Sequence, residues 1–188
     1  MIVSDVRCTA AGVYTKNKVK GAPLVVTKQH LADGYAQAVI CNSGNANTCA
    51  PNGMEIAEKT CELAAKALGL QSEDIIVGST GVIGKAMSIE PFETGIPPLV
   101  SKLSYNGSSE AANAIMTTDL KCKEVAVEFE LGGKPCHLGA IAKGSGMIHP
   151  NMATMLCFLT TGAAISALML QKALSEDILD SFNQISVD

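Results

Sequence analysis

A mixed α/β fold is predicted by three features of the sequence. The apolar content is aliphatic: hydrophobic residues make up 47% of the chain and aromatic ones 4%, with no Trp, so Ala, Val, Ile, Leu and Met must build the core. Short β-branched runs bounded by glycine and polar residues alternate with a segment of helical periodicity. Further on, a stretch alternates charged and apolar residues up to a Gly-Gly pair, the pattern of a hairpin. At 188 residues the chain has the size of a single domain with a sizeable buried core.

Taken in order, APLVVT (22–27) and AQAVIC (36–41) are short apolar runs that read as buried strands. The second runs into NSGNAN (42–47), whose Gly44 and asparagines tolerate unusual backbone angles and offer many hydrogen-bonding groups. Such a loop suits a site or a tight structural turn. The segment 53–69 is the clearest helix, with Glu55 and Glu58 near its start, Ile56, Leu63, Ala64, Ala67 and Leu68 on one face, and Gly69 to end it. EDIIVGSTGVIGK (73–85) gives a strand opening into a second glycine-rich loop. A helix is expected over 108–116, capped by Ser108 or Ser109, with TTD (117–119) after it. EVAVEFEL (124–131), the Gly-Gly turn and KPCHLGAIA form a hairpin with one wet face. KGSGMIHPNMATML (143–156) is a flexible, polar loop leading straight into a buried strand, TMLCFLTT (154–161). A helix from Ser166 places Leu174, Ile178, Phe182 and Ile185 on one stripe, and ISVD looks like the start of a further strand.

Charge and cysteine usage narrow the function. The formal net charge is −4, with no basic cluster or aromatic platform, so the electrostatic footprint of a nucleic-acid binder is missing and small-molecule chemistry is the better reading. The seven cysteines include no CxxC pair and no histidines at metal-ligand spacing, which predicts reduced, mostly buried thiols and no metal. No signal-like or membrane-spanning run is present, so a cytoplasmic location is expected.

Glycine-rich loops after strands suggest phosphate binding, but the motifs do not fit. A P-loop ending at Gly84-Lys85 needs Gly where Ser79 stands and Ser or Thr where Ala86 stands, and GSGMIH (144–149) lacks the third glycine of a dinucleotide fingerprint. There is no GxSxG elbow, and His30, His137 and His149 have no evident nucleophile and acid beside them, with His149 before Pro150 reading as a turn residue. What remains is Thr154, a hydroxyl between a flexible loop and an apolar run. Inside a chain it is a poor nucleophile. If the peptide bond before it is cut, the freed α-amine, with a reference pKa of about 7.7–8.0, can take the hydroxyl proton at neutral pH. The glycines upstream suit the tight bend that attack on the preceding carbonyl requires. Read locally, the plain start of a strand is the better reading of Thr154, since Thr is common in strands.

AAGVYTKNKVKGAP, NSGNAN, STGVIG, IMTTD and above all KGSGMIHPNMATML, in this order over nearly the whole chain, resemble the ArgJ family, the bifunctional glutamate/ornithine N-acetyltransferases of arginine biosynthesis. The resemblance implies self-cleavage between Ala153 and Thr154, giving an α chain (1–153) and a β chain that begins at Thr154 (154–188 here). It further implies a ping-pong transfer in which Thr154 takes acetyl from N2-acetylornithine, releases ornithine and passes the acetyl group to glutamate. Some members also use acetyl-CoA as donor; no bound cofactor or metal is implied. By the family's motifs Thr80 and Gly81 form the oxyanion hole, while Thr117 and Lys143 bind substrate together with Thr154. Thr118 is the neighbour most easily confused with Thr117, and the residue-level alternatives are a helix-terminal turn for Thr117 and a solvated loop lysine for Lys143. NSGNAN is expected to be scaffold near the site.

The fold implied is α/β, with mixed β-sheets packed face to face and helices outside, the αββα arrangement shared with self-processing aminopeptidases of the DmpA type. The assembly implied is a heterotetramer of two α and two β chains. Relatives have a strand before IVSDV and continue past ISVD, with a substrate-binding glutamate and a C-terminal asparagine and threonine, so the sequence is expected to be a partial ArgJ-like domain with little activity by itself. TCAPNG after NSGNAN also departs from the family's usual run. Two other functions fit the same residues: a self-processing amidase or aminopeptidase, and a non-catalytic remnant that binds a partner.

Overall fold

In the computed structural model, which describes residues 1–146, 148 and 155–186, the alternation in AQAVIC becomes the centre of a three-stranded mixed sheet. Strand β1 (Ile2–Thr9) runs antiparallel to β2 (Tyr35–Asn45), which runs parallel to β3 (Ile75–Val82). A parallel pair needs a crossover, here carried by the helix α2 (Gly53–Leu68), which Gly69 closes at φ +72 by donating its N–H to the Ala65 carbonyl. The buried face of α2 is Ile56, Ala57, Thr60, Cys61, Ala64 and Ala65. Of the stripe expected from sequence, Ile56 and Ala64 are buried, Leu63 and Leu68 half-buried and Ala67 exposed.

The expected strand at 22–27 is instead the helix α1 (Ala22–His30). Pro23 sits in its first turn, where a missing N–H costs nothing. The decisive residues are polar: Thr27 Oγ1 donates to the Val77 carbonyl at 2.8 Å and accepts from the Val77 N–H at 3.0 Å, while His30 Nδ1 lies 2.8 Å from the Ile75 carbonyl. The helix thereby satisfies backbone groups along the edge of β3, and Val26, wholly buried, enters the core beneath. A third helix, α3 (Glu90–Ser101), is absent from the sequence reading because Gly95, Pro97 and Pro98 look like breakers. Its apolar residues Phe92, Ile96 and Val100 recur every fourth position and pack on the same core, and that burial outweighs the lost hydrogen bonds.

A second, antiparallel sheet is built from β4 (Lys123–Leu131), β5 (Lys134–Lys143) and β6 (Leu156–Thr161). Gly132 and Gly133, at φ +60 and +76, make the two-residue turn between the first two strands. The expectation of one wet face needs correction, since all nine residues of β4 are exposed: alternation fixes which residues share a face but not whether anything packs there. β6, expected to be buried, is half-buried over its first three residues and exposed over the last three.

The two sheets meet face to face. Cys41 and Ile2 from the first lie against Phe158 from the second and share a cluster with Ile141, and the helix α4 (Ser108–Ala114) contributes Ala111 and Ala112 beside Ile115. Gly107, not a serine, takes the cap position of α4. Helices α1, α2 and α3 cover the other face of the first sheet through Val26, Ala38, Ile40, Cys61, Ile75 and Ile96. The predicted α/β class, with face-to-face sheets and helices outside, is what the chain adopts. The last helix, α5 (Ala167–Asp180), starts where expected, is capped by the Ser166 hydroxyl and is tied to the N-terminal segment by paired 3.2 Å bonds between Gln171 and the Gly12 backbone. Phe182 falls in a following 3-10 turn rather than on the helix, and Ile185 is exposed, so the stripe ends at Ile178.

All seven cysteines are free, but only Cys61 is fully buried, and Cys49 and Cys122 are exposed, so the expectation of mostly buried thiols is corrected. Burial pushes the Cys41 and Cys61 thiols up to about 12, leaving both as inert packing groups. No helix among the described residues is long and apolar enough to cross a membrane.

Candidate active site

The site forms where the ends of β3 and β5 come together with the turn after α4. Lys143 closes the apolar run LGAIAK at the end of β5, and because that strand is packed against the first sheet, its side chain is carried inward: the residue is 6% exposed. A buried ammonium needs partners. Lys143 Nζ donates to Thr117 Oγ1 at 2.7 Å and to Thr80 Oγ1 at 3.2 Å, and lies 3.5 Å from Asp119 Oδ2. Three residues singled out in sequence, 37 and 26 positions apart along the chain, thus share one cation. Lys143 is not a solvated loop lysine. Thr117 is separated from its neighbour as well, since Thr118 Oγ1 turns to Ser145 Oγ at 2.9 Å instead.

Thr80 and Gly81 belong to the last residues of β3 rather than to a loop. Thr80 pairs with Ser43 and Gly81 with Gly44, where the β2–β3 register shifts. Gly81 stands at φ +131, and a Cβ there would drive into the Gly44 carbonyl and come within 2.6 Å of Asn45 N, so only glycine fits. NSGNAN is the brace for this junction. Asn42 Oδ1 accepts from Ser79 Oγ at 2.5 Å, Asn45 Nδ2 donates to the Lys85 carbonyl at 3.0 Å, and Ser43 Oγ donates to the Ala114 carbonyl at 2.7 Å. It continues β2 instead of leaving it as a loop.

Ala153, Thr154 and His149 lie outside the described residues. Of the described residues that follow in the chain, Leu156 pairs with Lys143 across β5 and β6.

Asp119 is the residue the sequence reading missed. Its side chain is wholly buried. Oδ1 accepts from the Gly144 N–H at 2.7 Å and from Lys123 Nζ at 2.8 Å, and Oδ2 accepts from the Thr117 N–H at 3.3 Å. Burial on its own would raise this carboxyl, but the hydrogen bonds from Lys123, Gly144 and Thr117 and the charge of Lys143 outweigh it and hold the group well below the usual carboxylate range. A carboxyl depressed in the folded state contributes stability that is complete above its unfolded pKa of about 3.9 and is lost as pH falls through the folded value. Unfolding measured against pH should therefore show stability falling below about pH 4, and Asp119→Asn should flatten that decline. An unchanged acid limb in the variant would remove Asp119 from the balance. A signal was available in the sequence: Asp119 and Lys123 are four apart, and a lysine at the end of a buried strand calls for an anion.

The arrangement offers a buried cation, two hydroxyls directed by it and a glycine whose backbone is held open at a strand end. Together these suit a substrate with a carboxylate and a carbonyl that develops negative charge. Among the described residues no group of three or more His, Cys, Asp or Glu could hold a metal ion.

Comparison with known proteins gives consistent results. A family model described as the ArgJ family matches residues 1–188. The arginine biosynthesis bifunctional protein ArgJ of Symbiobacterium thermophilum is 50% identical over 189 residues, covering 100% of this chain and 47% of the relative. ArgJ 1 of Nostoc is 46% identical over 190 residues, covering 100% of this chain and 46% of the relative. The chain thus spans about half the length of the curated relatives it matches. Among solved structures, ArgJ of Bacillus halodurans superposes with a TM-score of 0.73 at 35% identity, over 82% of this chain and 80% of that one. An ornithine acetyltransferase complexed with ornithine, from Mycobacterium tuberculosis, gives 0.65 at 34% identity, over 79% and 78%.

Proposed function

The chain belongs to the ArgJ family, and from that premise we propose that the protein is an acetyltransferase of arginine biosynthesis that moves acetyl from N2-acetylornithine to glutamate through Thr154, after self-cleavage at Ala153-Thr154. The observation that carries the reading is the meeting of Thr80, Thr117 and Lys143 around one buried ammonium. That the Mycobacterium tuberculosis neighbour is complexed with ornithine supports the substrate class.

The chemistry follows from these groups. Thr154 Oγ attacks the acetyl carbonyl while its proton passes to the free α-amine of the same residue. The negative charge that develops on the carbonyl oxygen is met by the Thr80 hydroxyl and the Gly81 N–H. Collapse breaks the bond to the α-nitrogen of ornithine, which takes the proton and leaves, and acetyl remains as an ester on Thr154. The amine of glutamate then attacks that ester, its proton passing back through the Thr154 amine, and N-acetylglutamate departs. Both substrates carry an α-carboxylate, and Lys143 is its partner. An ammonium has three N–H donors; two are spent on Thr117 and Thr80, while the 3.5 Å approach to Asp119 leaves the third free of a short hydrogen bond among the described residues. This charge pattern favours free amino acids over the extended chain an aminopeptidase must admit. Acetyl-CoA is a further candidate donor, and an assembly of two α and two β chains the candidate quaternary structure.

The test is turnover by the full-length protein: with N2-acetylornithine and glutamate it should form ornithine and N-acetylglutamate in equal amounts. Lys143→Met should raise KM for both substrates by about 10- to 100-fold, the scale of one lost charged hydrogen bond worth about 1.5–3 kcal/mol. Unchanged KM values would free Lys143 from the substrate-binding role.

A further inference from the structure

We propose that Asp119 is a positioning residue of the acetyl-transfer site: its buried carboxylate ties the Thr117 backbone to the Gly144 backbone and holds the Lys143 ammonium between the Thr80 and Thr117 hydroxyls. The inference deepens the functional reading above and rests on it. Asp119 ties the turn after α4 to the adjoining ends of β4 and β5, which the sheet pairs at Lys123 and Ala142. Through Oδ2 it receives the N–H of Thr117, in the turn after α4; through Oδ1 it receives the N–H of Gly144, just past β5, and the ammonium of Lys123, at the start of β4. Thr117 and Lys143 are therefore set relative to each other by one side chain, and their 2.7 Å contact is its result.

The charge matters as much as the tether. Lys143 is 7% exposed at its side chain and has Asp119, at 0%, as its anionic neighbour. Among the described residues, other titratable groups nearby are Lys123, bonded to the same carboxylate, and Cys41, whose thiol is held neutral by burial. Without Asp119 the buried Lys143 ammonium would lose the carboxylate beside it among the described residues, and a buried cation stripped of its partner moves or draws in water. With Asp119 in place, Lys143 donates to both threonine oxygens, so the protons of those hydroxyls must point away from Nζ. For Thr80 this is the proton offered to the oxyanion. Asp119 thus acts through Lys143 and touches no reacting atom.

The experiment compares Asp119→Asn and Lys123→Met with wild type in the full-length protein, by steady-state transfer and by the 15N-bound proton signal of the Lys143 ammonium. In Asp119→Asn, kcat per folded enzyme should fall about tenfold or more and KM for glutamate should rise about tenfold, because binding and oxyanion groups lose their common anchor. The Lys143 ammonium, slowly exchanging and close in space to the Thr117 side chain in wild type, should lose that signal. Lys123→Met keeps the carboxylate and should shift the same quantities in the same direction by a few-fold; it decides the matter if Asp119→Asn does not fold. A kcat loss that disappears on normalising to folded enzyme, with KM and the Lys143 signal as in wild type, would overturn the proposal. The ammonium signal needs no substrate. If wild type fails to transfer acetyl, the functional reading falls, and the signal alone still decides whether Asp119 positions Lys143.

Discussion

Replacing Thr154 with alanine should leave the full-length protein as one uncut chain with no acetyl transfer. The expectation follows from the economy of N-terminal threonine chemistry, in which one residue supplies the hydroxyl that attacks and, once freed, the amine that takes its proton. Alanine has nothing to attack with. Removing the nucleophile of a covalent mechanism costs on the order of 10^6 in kcat, and here the same change also blocks the cut that creates the amine. Gel analysis of the purified variant reads the first effect and product formation per folded enzyme the second. Normal cleavage in the variant would exclude Thr154 from the processing step.

Thr80→Ala carries the second-largest effect. Thr80 Oγ1 accepts from Lys143 at 3.2 Å, so its own proton is directed elsewhere. Losing one oxyanion donor costs about 2.7–4 kcal/mol, or about 10^2–10^3 in kcat, with KM for glutamate largely unchanged because the charge is absent from the ground state. Thr80 also sits on a strand whose register is set by Asn42, Ser43 and Gly44, so the substitution removes a hydroxyl without moving the Gly81 N–H. A pure rise in KM would instead make Thr80 a residue that binds substrate.

How far the sequence could be read depended on whether local pattern and tertiary partner agreed. They agree in β2, α2 and β3, where periodicity points most of the apolar side chains that are buried to the core. Gly69, Gly132 and Gly133 mark the ends of α2 and of the first strand of the β4–β5 hairpin, whose pairing was legible although the apolar residues of β4 are exposed. They disagree at α1. Two valines and a threonine favour a strand locally, but Thr27 and His30 meet backbone groups of β3 that lie 50 and 45 residues away, and no window of sequence contains those partners. In α3 the Pro97-Pro98 pair conceals a helix that the burial of Ile96, against a core built by other segments, holds in place.

The site divides in the same way. Thr80, Thr117 and Lys143 could be placed by family motif, and the structure adds that they share one ammonium. Asp119 stood inside a motif yet had no role, because its local donors, Thr117 and Lys123, gain meaning only once the fold brings Gly144 and Lys143 to the same carboxylate.

The central claim is that acetyl passes through Thr154. Its most direct test is intact-mass analysis of the full-length protein, quenched during turnover with N2-acetylornithine in the absence of glutamate. The account predicts two chains, the second beginning at Thr154 and heavier by one acetyl group, with that group lost when glutamate is added. A protein that turns over as a single uncut chain, or whose Thr154 chain never carries acetyl while transfer proceeds, would contradict it.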